Sequence, residues 1–195
     1  IFTKSEIENF YLENYHGRNY SKKSLLAKIS FLLRERYYLR FIYLLESQIN
    51  NKNIKILDFG SGDGFLCNLL YKRGFKNIYT CDFFKPSFSN LKNHIFPQDI
   101  DKYHNFFDVM FMINSIEHLI SFSKDFDRLD ASMKDDSTLI IETPNFGSLD
   151  SLIFKKYWGG LHQPRHTFLW TKTSLINHLT LWNYKSKNIK TPQPA

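Results

Sequence analysis

The chain has 195 residues, of which 43% are hydrophobic and 17% aromatic, so its composition excludes a disordered protein and predicts one domain with a sizeable core. The net charge of +7 is compatible with an anionic partner, but no clear nucleic-acid-binding motif accompanies it. No apolar run reaches the roughly 20 residues of a membrane span, and no signal peptide is visible. The two cysteines, Cys67 and Cys81, have neither metal-ligand nor disulfide-framework spacing, which is typical of a cytoplasmic protein.

The first predicted element is an amphipathic helix, or a pair of helices, over residues 24–48, where apolar residues recur at helical spacing. We expect residues 1–53 to form an N-terminal helical cap on a core of residues 54–195. Predicted strands cover residues 55–59, 77–81, 94–97, 107–113, 138–142 and 184–190. Predicted helices cover residues 64–73, 121–133 and 174–181, with a short helical turn over residues 86–93. This alternation predicts an α/β fold with a doubly wound, mostly parallel sheet.

The first strand runs into three glycines at every second position, in the sequence DFGSGDG, residues 58–64. Ligands of such sheets bind at the carboxyl ends of the strands, so this turn is the expected floor of a site. A P-loop would end in Gly-Lys-Ser or Gly-Lys-Thr, but Phe65 and Leu66 follow here. A dinucleotide fingerprint has the spacing G-x-G-x-x-G, which this turn lacks. The glycine pattern therefore argues against a nucleoside triphosphate and against a dinucleotide as the ligand.

Two acidic residues follow the next two predicted strands. Asp82 ends the second strand, where a carboxylate can accept hydrogen bonds from the ribose hydroxyls of an adenosine. Phe83 is positioned to lie against the adenine, and Asp99 can accept from its amino group. The site therefore suits a nucleoside without a phosphate, and the ligand that fits is an adenosine carrying an amino acid.

Over residues 54–145 the order of these motifs resembles the class I S-adenosylmethionine-dependent methyltransferases. The shared motifs are LDFGSGDG, the ribose-binding acid Asp82, FDVMFMINSIEHL and LIIETPN. The resemblance implies a Rossmann-like fold, S-adenosylmethionine as cofactor and S-adenosylhomocysteine as its product. It also implies cofactor contacts from Asp58, Gly60, Ser61, Gly62, Gly64, Asp82, Phe83, Asp99, Ile100 and Asn114.

Glu117 and His118 follow the fourth predicted strand directly, at the ligand-binding edge of the sheet. By resemblance to the small-molecule O-methyltransferases, including the ubiquinone-biosynthesis enzymes, Glu117 contacts the acceptor. His118 is a candidate base for an oxygen nucleophile, because imidazole titrates near neutral pH. The alternative is that both residues only wall the cofactor pocket. No metal site is expected, because one glutamate and one histidine are too few ligands.

The sequence YWGGLHQPRHTFLWTKTSL, residues 157–175, resembles methyltransferase domain 23, several of whose members are tied to surface polysaccharide, sugar or lipid modification. The resemblance implies an acceptor-side insert at about residues 146–172. Its expected site residues are the substrate-binding Trp158, His162 and Arg165 and the second candidate base His166. Gly159 and Gly160 would make the insert a mobile lid. The alternative is a rigid loop in which Arg165 pairs with an internal acid and His166 packs on Trp170.

The chain departs from the family pattern in three places. KDDST, residues 134–138, replaces the usual Lys-Pro-Gly-Gly turn, and Asn183-Tyr184 replaces the usual Gly-Phe before the sixth strand. No segment clearly supplies the seventh strand of the family sheet. Either the chain is a fragment, or an exposed sheet edge is available for a homo-oligomer or another partner.

These observations predict methylation of an oxygen on a small-molecule, sugar, or polysaccharide- or lipid-linked acceptor. One alternative is an inactive binding or scaffold subunit of the same fold, which the missing strand suggests. The other is a nucleic-acid methyltransferase, which only the charge suggests. The sequence NSIEHL after the fourth strand argues against it, because enzymes that methylate base amino groups commonly have an Asn/Asp-Pro-Pro-aromatic motif there.

Overall fold

The computed structural model describes residues 25–88, 90–187 and 190, and within them helix α1 (Leu25–Glu46) precedes five strands. The strands are β1 (Lys55–Phe59), β2 (Asn77–Cys81), β3 (Asn93–Ile95), β4 (Phe107–Ile113) and β5 (Met133–Glu142). The remaining α-helices are α2 (Phe65–Lys72), α3 (Phe122–Ser132), α4 (Leu149–Phe154) and α5 (Lys172–Thr180). Short 3-10 helices cover Pro97–Lys102, Ile116–His118 and Lys155–Tyr157.

The strands form one sheet in the order β3-β2-β1-β4-β5, and every neighbouring pair is parallel. In the register of the central strand, Leu57 lies opposite Tyr79 on one side and Met110 on the other. The chain order reverses direction between β1 and β4, which makes their carboxyl ends the topological switch point of the sheet. The expected doubly wound parallel sheet is confirmed.

Both faces of the sheet are buried under separate hydrophobic clusters. Alternate residues of β4 divide between them, since Val109 and Phe111 join the cluster beneath α1 and α2 while Met110 and Met112 join the cluster beneath α3. A strand covered on both faces must be apolar at successive positions, which explains the unbroken run FDVMFMI. None of the helices in the described ranges has both the length and the apolar character that crossing a membrane requires.

Several element boundaries differ from those expected. Residues 25–46 form one continuous helix, which is the first of the two expected alternatives. The described part of residues 86–93 contains no helix, although a short helical turn was expected there. β3 ends at Ile95 because Pro97 opens a 3-10 helix, where its missing N–H costs nothing. β5 begins at Met133, so residues 134–138 lie in the strand rather than in a turn before it.

The expected sixth strand is absent from residues 184–187 and 190, and residues 188 and 189 lie outside the described part of the chain. Instead, Trp182 Nε1 donates to Asp127 at 2.7 Å, and the Tyr184 hydroxyl donates to Asp130 at 2.8 Å. These bonds attach the segment to α3. Asn183 has φ 61°, the left-handed conformation that asparagine tolerates.

Candidate functional site

The glycine turn between β1 and α2 lies at the switch point, and its backbone conformation requires glycine. Gly60, Gly62 and Gly64 have φ 74°, 56° and 80°, a region that other residues rarely adopt. A Cβ on Gly60 would also lie 2.5 Å from Cβ of Ser115, at the start of the loop after β4. The backbone at Gly60 therefore lies so close to that loop that no side chain fits between them.

Asp82 connects this turn with the end of β2. Its Oδ2 accepts from the backbone N–H of Gly62 at 2.7 Å, and its Oδ1 accepts from that of Phe83 at 2.7 Å. Burial raises the pKa of Asp82, although these backbone donors favour its charged form. The backbone of Phe84 is a third hydrogen-bond donor, and these bonds fix the carboxylate. A carboxylate has about four acceptor sites, so it can accept one further bond from a ligand. Phe83, beside it, is 44% exposed.

Asp58 is the most deeply buried of the expected cofactor residues with a charge, at 3% exposure. Its Oδ2 accepts from the Cys67 thiol at 3.3 Å. Burial, reinforced by the nearby carboxylates of Asp82 and Asp63, raises the pKa of Asp58 to about 7. A positively charged group close to Asp58 would stabilise the ionised form.

Two serine hydroxyls near the glycine turn lack hydrogen-bond partners among the residues that the structure describes. Both Ser61 Oγ and Ser115 Oγ are buried atoms, and buried hydroxyls normally have a partner. Neighbouring Asn114 has φ 52°, and its Nδ2 donates to the Tyr37 hydroxyl at 2.9 Å. Polar groups therefore line the switch point, and the hydroxyls of Ser61 and Ser115 can each still make a hydrogen bond to a ligand.

Asp99 and Ile100 both lie in the 3-10 helix after β3. Asp99 pairs with Lys102 at 2.7 Å on the surface. Ile100 is only 1% exposed and packs in the core with Leu57 and Cys81. The Ile100 side chain therefore has a packing role, and only its backbone is left to meet a ligand.

Helix α1 contributes a layer of site contacts that the sequence analysis missed. Arg34 donates two bonds of 2.7 Å to the carboxylate of Asp63 in the glycine turn, and its guanidinium lies 4.3 Å from the ring centroid of Phe65. The Tyr37 hydroxyl donates to Glu142 at the end of β5 at 2.7 Å, and Arg40 pairs with the same carboxylate. The available signal was the three-residue spacing of Arg34, Tyr37 and Arg40, which places them close together on the helix surface.

Glu117, His118 and His166 are brought together although 48 residues separate the two histidines in sequence. The two imidazole rings lie 4.8 Å apart, and each Nδ1 contacts a backbone carbonyl, of Arg165 at 2.8 Å and of Gly160 at 2.7 Å. One potential ligand atom from each residue lies within 4.8 Å of the other two.

The polar groups of this cluster are largely removed from water. Glu117 is 1% exposed, and its Oε2 accepts from Thr143 at 2.9 Å, whereas Oε1 has no partner among the described residues. Burial raises the pKa of Glu117 to about 7. It lowers the pKa of His118 to about 4 and also lowers that of His166.

The insert is fastened to the end of β4 by backbone contacts. The N–H of Thr167 donates to the carbonyl of Glu117 at 2.9 Å. A Cβ on Gly160 would lie 2.3 Å from the Trp158 ring, so Gly160 permits close packing rather than only mobility. The ring of His162 lies 5.3 Å from that of His166, and Arg165 adjoins the cluster through its carbonyl.

A family model described as a methyltransferase domain matches residues 31–185 of the chain, about four fifths of its length. A solved S-adenosylmethionine-dependent methyltransferase from Archaeoglobus fulgidus is 21% identical, covers 80% of this chain and 74% of its own, and gives a TM-score of 0.57. None of the curated protein sequences compared with the chain matches it.

Two further solved structures have similar folds. The magnesium protoporphyrin IX methyltransferase from Synechocystis PCC 6803, with bound S-adenosylhomocysteine, is 16% identical over 92% of this chain and 89% of its own, with a TM-score of 0.61. A putative methyltransferase from an antibiotic biosynthesis pathway of Anabaena variabilis is 17% identical over 73% and 60%, with a TM-score of 0.56. At these identities the similarity establishes the fold.

Proposed function

The chain belongs to the methyltransferase domain family and has the fold of the S-adenosylmethionine-dependent methyltransferases, and we propose that it methylates an oxygen of a sugar-type or lipid-linked acceptor. The observation that carries this proposal is the convergence at one sheet edge of the glycine turn, Asp82 and the Glu117–His118–His166 cluster. The turn and Asp82 suit the cofactor, and the cluster suits the acceptor.

The residues around the glycine turn fit the cofactor that the fold implies. When bound, S-adenosylmethionine supplies a methyl group activated by a positively charged sulfur. Asp82 is held where its carboxylate can accept from a ribose hydroxyl. The buried hydroxyls of Ser61 and Ser115 need polar partners, which the amino-acid part of the cofactor would provide. Asp58 would favour the cofactor's ammonium group at the same end.

The cluster supplies the groups for acceptor activation. A backbone carbonyl can only accept, so Nδ1 of His118 and of His166 carries the proton and Nε2 carries the lone pair. An acceptor hydroxyl that takes the methyl group must lose its proton, and Nε2 of either ring can accept it. Holding this hydroxyl in line with the methyl group supplies further rate enhancement through proximity.

Side chains of the insert favour an acceptor with both apolar and anionic parts. Leu149, Leu152 and Ile153 are at least 60% exposed, and Lys155 and Lys156 follow after one further residue. Apolar side chains next to cations match a lipid chain that carries a phosphate or carboxylate. A lipid-linked sugar combines these features with hydroxyl groups to methylate.

Transfer of labelled methyl groups tests this proposal. The protein would be incubated with methyl-labelled S-adenosylmethionine and with lipid-linked sugar, sugar-nucleotide and nucleic-acid fractions of the source organism. We expect label in the lipid-linked sugar fraction, and His166→Ala should lower turnover at least about tenfold while S-adenosylhomocysteine affinity is retained. His104→Ala, at an exposed histidine outside the cluster, is the control. Label in the nucleic-acid fraction alone would contradict the acceptor assignment.

A further inference from the structure

Four polar side chains form a hydrogen-bonded chain from helix α1 to the ends of β5 and β4. Arg40 pairs with Oε1 of Glu142, and the Tyr37 hydroxyl donates to Oε2 of the same carboxylate at 2.7 Å. Asn114 Nδ2 in turn donates to the Tyr37 hydroxyl at 2.9 Å. We propose that Tyr37 is a positioning residue, which holds the Asn114 amide so that its Oδ1 accepts a hydrogen bond from the ammonium group of the cofactor.

The direction of each bond follows from what its members can donate. The Arg40 guanidinium can only donate, and the Glu142 carboxylate paired with it accepts on both oxygens. Burial and the hydrogen bond to Glu142 raise the pKa of the Tyr37 hydroxyl, so it keeps its one proton at pH 7. Because that proton is used on Glu142, the hydroxyl can only accept its second bond, and the NH2 group of Asn114 supplies it.

The orientation of the Asn114 amide is therefore set by the chain of bonds. Turning Nδ2 towards Tyr37 turns Oδ1 away from it, and none of the described residues donates to that oxygen. The backbone of Asn114 is held as well, since it has φ 52° and its N–H donates to the carbonyl of Glu142 at 2.7 Å. The result is a fixed hydrogen-bond acceptor at the carboxyl end of β4.

The surroundings of this acceptor favour a cationic donor, and this step rests on the proposed function. Ser115, the next residue after Asn114, lies against Gly60 of the glycine turn. The buried carboxyl of Asp58 lies at the end of the neighbouring strand, and Asp82 interacts with it electrostatically. Acceptors and acids grouped in this way attract a positively charged donor. The amino-acid part of S-adenosylmethionine carries such a donor, its ammonium group.

Comparison of two ligands by calorimetry tests the assignment. S-adenosylhomocysteine carries the ammonium group, whereas 5′-methylthioadenosine keeps the adenosine and the sulfur but lacks the amino-acid part. Tyr37→Phe leaves the Asn114 amide free to rotate. It should weaken S-adenosylhomocysteine binding about threefold to tenfold and leave the affinity for 5′-methylthioadenosine unchanged. Tyr43→Phe makes the same change at a 54% exposed position of α1 and should bind both ligands as the wild type does.

Glu142→Gln tests the direction of the bonds. Since Arg40 can only donate, the oxygen of the new amide would face Arg40 and its NH2 group would face Tyr37. The Tyr37 hydroxyl would then accept from position 142 and donate to Asn114, which turns Nδ2 of Asn114 towards the ammonium group. We expect S-adenosylhomocysteine affinity to fall at least as far as in Tyr37→Phe, again with unchanged affinity for 5′-methylthioadenosine.

Three results would overturn the positioning role of Tyr37 alone. They are wild-type affinity of Tyr37→Phe for S-adenosylhomocysteine, an equal loss of affinity for both ligands, and wild-type affinity of Glu142→Gln for S-adenosylhomocysteine. An equal loss for both ligands would show that the hydroxyl serves packing of α1. Wild-type protein that melts cooperatively but binds neither ligand would instead contradict the cofactor site, and with it both the proposed function and this inference.

Discussion

At the scale of single residues, Asp82 is the side chain that we propose to recognise the cofactor most directly. Its carboxylate is already held by the N–H groups of Gly62 and Phe83, so no rearrangement is needed to meet a ribose. A preorganised charged acceptor of this kind binds hydroxyl donors more strongly than a neutral one does.

Asp82→Asn should therefore weaken S-adenosylhomocysteine binding by about 1–3 kcal/mol, because the charged acceptor is lost while the shape is kept. Isothermal titration calorimetry measures the change. Asp135→Asn, at an exposed position on β5, is the matched control and should bind as the wild type does. Equal affinities for Asp82→Asn and the control would mean that Asp82 does not contact the ribose.

Asp58 should make stability depend on pH. Its pKa is raised from 3.8 in the unfolded chain to about 7 in the fold, chiefly by burial. The folded protein therefore binds this proton more tightly, so stability is fully present below the unfolded pKa and falls as pH rises towards the folded pKa. Asp58→Asn removes the buried charge and should remove this loss.

The free energy of unfolding of Asp58→Asn, relative to wild type, should rise between about pH 4 and about pH 8, by about 1.4 kcal/mol per unit of pKa shift. Urea titrations of the cofactor-free protein at several pH values measure it. Asp136→Asn, at an exposed position, should show no such trend. A difference between Asp58→Asn and wild type that stays constant with pH would show that Asp58 does not titrate in this window.

At the scale of elements, helix α1 is bound to the site rather than merely packed on the domain. It contacts the glycine turn through Arg34 and Asp63, and it contacts the ends of β4 and β5 through Tyr37 with Asn114 and Glu142. These contacts join three loops of the ligand-binding edge. Loss of these polar contacts should therefore lower ligand affinity more than it lowers global stability.

Arg34→Ala removes the two-bond pair with Asp63 and should weaken S-adenosylhomocysteine binding about threefold to tenfold, with a stability loss of about 1 kcal/mol or less because the pair is partly exposed. Calorimetry and urea unfolding measure the two effects. Arg36→Ala, an exposed neighbour on the same helix, controls for helix propensity. If both variants behave alike, the α1 contact does not support the site.

Packing within the insert should depend on Gly160 but not on Gly159. A Cβ on Gly160 would meet the Trp158 ring at 2.3 Å, whereas no atom lies within 4 Å of a Cβ on Gly159. Gly160→Ala should cost about 1–3 kcal/mol of stability through overpacking, and Gly159→Ala should change it by about 0.5 kcal/mol or less. Urea unfolding compares them, and equal losses would contradict this packing of Trp158.

At the scale of the whole molecule, the sequence was sufficient for the parts of the fold that local patterns specify. The apolar run of β4 and the glycine turn after β1 are local signals, and both elements lie where expected. Residues 184–190 also have a strand-like pattern, but Trp182 and Tyr184 bond to acids on α3 instead. A local sequence pattern does not reveal hydrogen bonds to a distant helix that compete with strand formation.

The residues of the candidate site likewise fall into those that sequence order could place and those that only the tertiary fold brings together. Asp82 and Glu117 follow strands, so their placement at the ligand-binding edge could be predicted from sequence order. The contact of His166 with His118 and that of Arg34 with Asp63 depend on how distant segments fold back over the edge. No spacing rule covers separations of 48 or 29 residues, so these pairs became visible only in the structure.

Calorimetric titration of the folded chain with S-adenosylhomocysteine is the most direct test that the switch point binds the methyltransferase cofactor. We expect one S-adenosylhomocysteine per chain, with a dissociation constant in the micromolar range, and weaker binding by Asp82→Asn. A cooperative thermal transition, measured on the same sample, establishes that the protein is folded. No binding up to millimolar S-adenosylhomocysteine by protein that melts cooperatively would contradict the cofactor site and the methyl transfer proposed from it.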